Sequence, residues 1–448
     1  MTFEKLTDII RENGVAGAGG AGFPTYAKLD KRADTIILNC AECEPLLKLH
    51  RQVLEKYAYE ILSALDMIAD AVGADTIIVA VKASYKEAVE AVKSELDSFK
   101  KVKIGILPEI YPAGDEVITI YETTGRVVPP GSLPISVGVT VFNVETALNV
   151  YNAVTNSQPV IYKYVTVTGE VKNPITVKVP LGVTLKEVID LAGGALIPDY
   201  ALINGGPMTG PLANPGDLVT KTTNAVLVMP QDHYIINKKK SRISSDMKRA
   251  MSACCQCRMC TDLCPRNLLG HPIEPHSFMR AATSGDTRDI APFINTMFCS
   301  GCGVCEMYAC MQNLSPRTLI AEYKAGLRKS GVPLPEDVPL KDVAGAREYK
   351  KVPMARLTAR LNLTKYNKPA PLCETEYIPQ KVKLALSQHI GAPATAVVKK
   401  GDAVKAGQLV GTYCADKLGV GIHASVDGVV TDVNDKYITI KRQKGDTV

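Results

Sequence analysis

Hydrophobic spacing divides the chain into segments of different period. Phe3, Leu6, Ile9 and Ile10 recur at helical spacing, and Asn13-Gly14 closes the run with a C-cap signal, which predicts an amphipathic helix over residues 3–13. Strand-like Thr35 to Leu38, a helix near 48–72, strand Thr76 to Val81, a helix near 85–98 and strand Val102 to Leu107 then alternate. That order predicts a parallel α/β sheet in a first domain over residues 1–155. From Tyr164 the period shortens: Val165, Val167, Val171, Val177 and Val179 interleave with polar residues, Gly169 and Asn173-Pro174 supply turns, and one helix runs from Leu185 to Leu191. Strands around a single helix predict a small β-grasp module over 160–235. Residues 331–378, with Pro333 to Pro339 and a polar stretch, read as connector. Short strands return from Lys381, with turns at Gly391, Lys400-Gly401-Asp402, Gly407 and Asp427-Gly428. The expected fold class is multidomain α/β and α+β.

Composition narrows this picture. A chain of 448 residues is too long for one core, and 46% hydrophobic with 22% charged residues is the balance of ordered globular domains. No apolar run approaches the roughly 20 residues a bilayer requires, and no secretory signal is present, so a cytoplasmic protein without a membrane span is expected. The net charge of +6 carries no basic stripe with interleaved aromatics, which argues against nucleic acid. Lys238, Lys239, Lys240 and Arg242 read as a solvated linker.

Chemistry enters with the cysteines. Cys254, Cys257, Cys260 and Cys264 precede Pro265, and Cys299, Cys302, Cys305 and Cys310 repeat the run, within a helical ferredoxin-type domain expected over 245–330. Three thiolates at this interval wrap one face of a four-iron cube, and the fourth ligand comes from farther away. In two-cluster ferredoxins the distal cysteine serves the other cluster, so the expected sets are Cys254, Cys257, Cys260 with Cys310, and Cys299, Cys302, Cys305 with Cys264. Zinc is disfavoured by the third cysteine of each run, and disulfides by an odd total of 13 cysteines. Four residues separate Cys305 from Cys310, one more than in the first run, and Met311 stands where proline is common. Cys255 reads as a buried small residue, Cys40 and Cys43 as small loop-packing residues, and Cys373 stands isolated in the connector.

Gly17-Ala18-Gly19-Gly20-Ala21-Gly22-Phe23-Pro24 satisfies G-x-G-x-x-G, but it follows a helix and runs into Phe-Pro, unlike a Rossmann turn. No Lys-Ser or Lys-Thr follows, which excludes a P-loop. A loop whose amides approach a phosphate or flat ring remains, with Lys28 close in sequence.

These segments, together with Asn39-Cys40-Ala41-Glu42-Cys43-Glu44-Pro45, Tyr111-Pro112-Ala113-Gly114-Asp115-Glu116 and Val141-Phe142-Asn143-Val144-Glu145-Thr146, resemble the FMN-binding domain of the NADH-oxidising flavoprotein subunit of respiratory complex I and of Rnf C subunits. Gly125-Arg126-Val127-Val128-Pro129, Gly205-Gly206-Pro207-Met208 and Gln388-His389-Ile390-Gly391-Ala392-Pro393 are similar to the Rnf branch, and the β-grasp module to an SLBB domain. The run Val397 to Gln408 resembles a biotinyl/lipoyl-like barrel-sandwich domain, expected over 379–448; its hairpin His423-Ala424-Ser425-Val426-Asp427-Gly428 lacks the attachment lysine. Rnf C subunits place that module first, whereas here it follows the cysteines, an order similar to the cobalamin reductases of propanediol-utilisation microcompartments. The resemblance implies that Gly17, Gly19, Gly20, Gly22, Lys28, Asn39, Gly114, Asn143 and Thr146 hold FMN, that Phe23 stacks, and that Glu42, Glu44 and Glu116 meet flavin or NADH. It further implies two [4Fe-4S] clusters, NADH as donor, a corrinoid (cobalamin) as acceptor, an adenosyltransferase partner, microcompartment shell or cargo contacts, and no catalytic proton donor. The alternatives are an Rnf-type subunit exchanging electrons between NADH and ferredoxin, and a non-catalytic carrier or scaffold. The carboxylates Glu42 and Glu44 have a second reading, as caps of a nearby helix. The first helix has one too, as an encapsulation signal rather than a packed element.

Overall fold

The computed structural model describes residues 1–442; residues 443–448 of the expected barrel-sandwich domain lie outside the described residues. Four parallel strands build the first sheet, in the order Val102–Leu107, Thr76–Lys82, Thr35–Cys40, Val139–Asn143. Alternation puts Ile36 and Leu38 into a large core with the helices Phe3–Glu12, Ala58–Val72 and Val144–Thr155, and Ile37 into a second core against the helix Glu116–Thr124. Both faces are covered, as a parallel sheet requires. The strand Val139–Asn143 was not among the predicted elements. The helix expected near 48–72 is two helices, Leu49–Lys56 and Ala58–Val72, broken at Tyr57 (φ −123°), whose hydroxyl donates to Glu374. The apolar period continues through the break, so pattern alone does not show it.

The β-grasp sheet has six strands in the order Leu372–Cys373, Ile175–Pro180, Tyr162–Gly169, Ala225–Pro230, Tyr200–Asn204, Leu212–Ala213. Its helix Leu185–Leu191 opens with a capping box between Thr184 and Glu187. The edge strand Leu372–Cys373 and the strand Val352–Pro353, which pairs with Ile110 and Tyr111, both come from the stretch read as connector. That stretch therefore stitches the flavin-type domain to the β-grasp sheet. Two-residue strands are too short to show a period, which is why sequence reading passed over them.

The C-terminal region folds as two small sheets, Lys381–Ala385, Tyr437–Lys441, Gly428–Val433, Ala403–Val404 and Thr395–Ala396, Leu409–Thr412, Ile422–His423. In the lysine-less hairpin, His423, Ala424, Ser425 and Val426 are buried, and the Ser425 hydroxyl donates to the Leu181 carbonyl at 2.6 Å. The hairpin is a docking element. Among the described residues no helix is long and apolar enough to cross a membrane.

The first helix is a packed element, with Leu6 and Ile10 fully buried. Its Arg11 guanidinium donates to the carbonyls of Cys414, Ala415, Lys417 and Gly419 at 2.9–3.3 Å and lies over the rings of Tyr26 and Tyr413. Nearby, Lys221 of the β-grasp region donates from Nζ to the carbonyls of Gly14 (2.6 Å) and Gly421 (3.0 Å), joining three parts of the chain. No ion pair holds it among the described residues, and burial pushes its amine down to about 7. His423 beside it is pushed lower still by burial and by Lys221, so it stays neutral above pH 7. Between about pH 7 and the ordinary lysine value near 10.4 the unfolded chain binds a proton that the folded chain does not, so this group adds stability as pH rises. The unfolding free energy of the wild type relative to Lys221→Met is expected to rise from pH 7 to pH 9, by about 1.4 kcal/mol per unit at most. A pH-independent difference between the two denaturation curves refutes the assignment.

Candidate flavin and iron–sulfur site

The glycine loop is held at both ends and open between. The Gly17 amide donates to the Phe23 carbonyl (2.9 Å), and the Ala18 amide donates to the Thr146 hydroxyl (2.9 Å). The amides of Gly19, Gly20 and Ala21 have no acceptor among the described residues. Gly20 and Gly22 sit at φ +60° and +67°, a region that glycine enters without strain. Space is uneven around them: a Cβ on Gly19 would meet the Asn224 amide at 2.6 Å, whereas one on Gly20 meets nothing within 4 Å. Thr25, just past Phe23-Pro24, buries a hydroxyl oxygen without a partner. Free amides and an orphaned hydroxyl suit a ligand rich in acceptors.

The neighbouring loops converge there. Asn143 caps the helix Val144–Thr155, accepting from Glu145 and Thr146 amides, and its side-chain amide donates to His50 Nε2 at 2.9 Å. Burial pushes His50 down to about 4, so the ring is neutral and free to accept. Asn39 donates to the Gly114 carbonyl (2.9 Å), and a Cβ on Gly114 would press on Cys43 Sγ at 3.1 Å and Ala41 Cβ at 3.3 Å. Lys28 donates to Glu116 (3.0 Å) and to the Val141 carbonyl (3.0 Å). Burial raises the thiols of Cys40 and Cys43.

The two loop carboxylates have specific destinations. Glu42 accepts from the His50 amide (2.8 Å), the Arg51 amide (3.3 Å) and Arg51 Nε (3.0 Å), so it caps the helix Leu49–Lys56. Burial alone would raise its carboxyl; Arg51 and His50 outweigh burial and hold it below the ordinary range. Glu44 accepts from the amides of Met208 (2.8 Å) and Thr209 (2.9 Å), so it closes onto the loop Asn204 to Gly210, and burial raises its pKa. The close approach that those glycines permit is to this carboxylate: a Cβ on Gly206 would lie 2.1 Å from Glu44 Oε2. Gly206→Ala is expected to cost about 1–3 kcal/mol by overpacking and to lower flavin retention after gel filtration. A variant with unchanged melting and unchanged flavin content contradicts this.

The cysteines form two gatherings. A small cavity is lined by Cys264, Cys299, Cys302 and Cys305 together with Arg266 and Arg317. Burial, then Cys310, Cys254 and Cys257, push the Cys260 thiol up to about 12. Among the described residues no three His, Cys, Asp or Glu side chains close on a single ion, whereas a cubane spaces its four thiolates around a body several atoms wide. The residues fit such a group, and binding it would release the thiol protons. The two loops share one backbone shape: Gln256 and Arg258 at φ 53° and 66° match Gly301 and Gly303 at 75° and 82°. The extra residue between Cys305 and Cys310 is absorbed by a π-type turn, Cys305–Ala309, where the first run has the α-helical turn Met259–Asp262.

Four contributors, Tyr111, Arg266, Lys163 and Asn224, were not read from sequence. Tyr111 donates its hydroxyl to the Cys302 carbonyl at 2.5 Å, and Arg266 pairs with Asp115 at 2.9 Å. Lys163 and Glu145 form a fully buried pair that also binds Asn224, the residue against Gly19. All four act on long-range partners that no local motif announces.

Family models match in the same order. A Nuo51 FMN-binding domain covers residues 10–152, an SLBB domain 164–212, a 4Fe-4S dicluster domain 253–315 and an RnfC barrel sandwich hybrid domain 364–448. The chain is 41% identical over 445 residues to the cobalamin reductase PduS of Citrobacter freundii, covering 98% of this chain and 97% of the relative. It is also 41% identical to the cobalamin reductase PduS of Salmonella typhimurium, covering 99% and 97%. The C subunit of the Na(+)-translocating ferredoxin:NAD(+) oxidoreductase complex of Acetobacterium woodii is 32% identical, over 60% of this chain and 59% of that one. An NAD+-reducing [NiFe]-hydrogenase chain aligns with a TM-score of 0.48 at 19% identity, over 82% of this chain and 68% of its own.

Proposed function

The chain belongs to the cobalamin reductase family, and from that membership we propose that it carries electrons from NADH to the cobalt of a corrinoid. It is an oxidoreductase with a flavin domain and a 4Fe-4S dicluster domain. Bound FMN supplies the conversion between the electron pair of a nicotinamide and the single electrons that iron–sulfur clusters accept. Gly19 and Gly20 offer open amides, Gly17 and Gly22 close the ends of the loop that presents them, Asn39, Gly114, Asn143 and Thr146 shape the floor, and Phe23, Lys28 and Glu116 edge it. Glu42 and Glu44 act one step away, by fixing the helix Leu49–Lys56 and the loop of Met208. The eight cysteines hold the two clusters in the crossed sets.

One observation carries this reading: a cavity lined by four cysteines from both runs adjoins, through Arg266, the loop bearing Gly114, Asp115 and Glu116. The finer placement proposed, inside a propanediol-utilisation microcompartment with an adenosyltransferase as partner, is supported by the resemblance to cobalamin reductases. The test is anaerobic purification with flavin and iron analysis, then NADH with aquacobalamin as acceptor. NADH-dependent bleaching of the iron–sulfur absorbance and cobalt reduction are the expected results. Loss of both, with flavin and iron present, refutes the function, and co-purification with integral membrane subunits would assign the chain to an Rnf-type complex instead.

A further inference from the structure

The two cysteine sets differ in what surrounds them. The inner set touches the flavin-type domain at two points, and a third contact reaches it through the β-grasp loop of Met208. Tyr111, from the loop that carries Gly114 and Glu116, is 4% exposed and donates its hydroxyl to the Cys302 carbonyl at 2.5 Å. Arg266, two residues past Cys264, reaches Asp115 on the same loop at 2.9 Å. Gly303 lies 3.5 Å, measured from its Cβ direction, from the Met208 methyl, and the Met208 amide is held by Glu44. Around this set Cys264, Gly303, Val304 and Cys305 are buried.

The outer set looks the other way. Cys255, Gln256, Cys257 and Arg258 are all exposed, and so are Met251 (62%) and Met311 (70%), which flank the loop just before Cys254 and just after Cys310. No residue of the flavin-type domain bonds to loop 254–258 among the described residues.

Resting on the function proposed above, we propose that Tyr111 and Arg266 are positioning residues that lock the inner set, Cys264, Cys299, Cys302 and Cys305, to the flavin loop as the first to be reduced, and that loop 254–258 is the face where electrons leave. Electron tunnelling favours short, packed routes, and the only hydrogen-bonded links described between the flavin-type domain and a cysteine run end on the inner set or its Arg266. The balance is simple. NADH gives up two electrons and becomes NAD+, its proton passing to solvent; the electrons cross singly from inner to outer set, and each lowers the cobalt of the corrinoid by one. No bond to a chain residue forms or breaks.

The test uses the full chain loaded with FMN and iron, and compares Cys257→Ser, Cys302→Ser and Tyr111→Phe by electron paramagnetic resonance. Electrons come from NADH, from flavin photoreduced with EDTA as the sacrificial donor, or from dithionite. Cys257→Ser is expected to show its remaining cluster reduced by NADH and by light at wild-type rate. Cys302→Ser should show its remaining cluster reduced by dithionite but at least tenfold more slowly by NADH or light. Tyr111→Phe, which keeps both clusters, should shift the potential and line shape of the signal that Cys302→Ser lacks and leave the other unchanged. The reverse order, equal rates in both serine variants, or a Tyr111→Phe change confined to the outer signal or absent from both, overturns the proposal. Should Cys302→Ser lose all iron, Tyr111→Phe decides alone. A wild type reduced by light but not by NADH refutes the donor assignment and leaves the order of the sets to be read from the light-driven arm.

Discussion

Glu145→Ala is expected to destabilise the protein by about 3–5 kcal/mol, the cost of leaving one partner of a buried ion pair without the other. Both side chains of the Glu145–Lys163 pair are 1% exposed. Burial pushes the carboxyl up and the amine down, and their mutual attraction works against both shifts. The hydrogen bonding favours the charged pair: the three protons of the ammonium meet Glu145, Asn224 Oδ1 and the Tyr164 carbonyl, and the other carboxylate oxygen accepts the Tyr164 amide at 3.1 Å. Alanine leaves the ammonium buried without its counter-charge and leaves Lys163 to hold Asn224, which packs on Gly19, without the anchoring carboxylate. The readout is the denaturant midpoint of the apo-chain together with flavin content. Glu145→Leu combined with Lys163→Met should recover most of the stability, because an apolar pair of similar volume replaces the ions without unpaired charge. A single variant within about 1 kcal/mol of wild type would show that solvent reaches the pair.

Crossed ligation predicts an exchange of phenotypes between the two runs. Cys264→Ala and Cys310→Ala should each lower iron from about eight to about four per chain, the content of one cubane. Cys264→Ala is then expected to display the spectrum of a Cys302→Ser protein, and Cys310→Ala that of a Cys257→Ser protein, although each mutated residue belongs to the opposite run. The placement supports this. Cys264 lines the cavity of the second run, with the amides of Asn267 and Arg266 directed at its sulfur, while Cys310 acts on the thiol of Cys260 and receives the Leu314 amide at 3.3 Å. Acceptor reduction should fall at least about 100-fold in both variants, more than the loss of a supporting partner costs at a metal site. Uncrossed spectra, with Cys264→Ala matching Cys257→Ser, would reassign the fourth ligands.

Sequence was most informative where chemistry imposes spacing. A cube of iron and sulfide needs thiolates two residues apart, and the resulting pattern is legible without a fold. The parallel sheet was legible because Ile36-Ile37-Leu38 and Ile77-Ile78-Val79 are continuous apolar runs, the mark of strands covered on both faces. What escaped was whatever depends on a distant partner. The helix-capping reading of Glu42-Cys43-Glu44 holds for Glu42, which accepts amides 8 and 9 residues on, and fails for Glu44, which crosses 164 residues to the Met208 amide. Two-residue strands at Val352 and Leu372 carry no period, and the break at Tyr57 leaves the helical period intact. The extra residue before Cys310 was visible as a number but not as a π-type turn, because backbone shape follows from packing around the ligands.

The clamp of Arg11 on residues 414–419 bears on how such chains are assembled over evolutionary time. The barrel-sandwich module lies against the first helix of the flavin-type domain, so its seat adjoins that domain even though it follows the cysteine domain in sequence. A gene rearrangement that moved this module from the tail to the head would need a new peptide linkage and no new interface, since permuted connections succeed where the joined segments are already neighbours. An order with the module first and an order with the module last are thus compatible with one spatial arrangement.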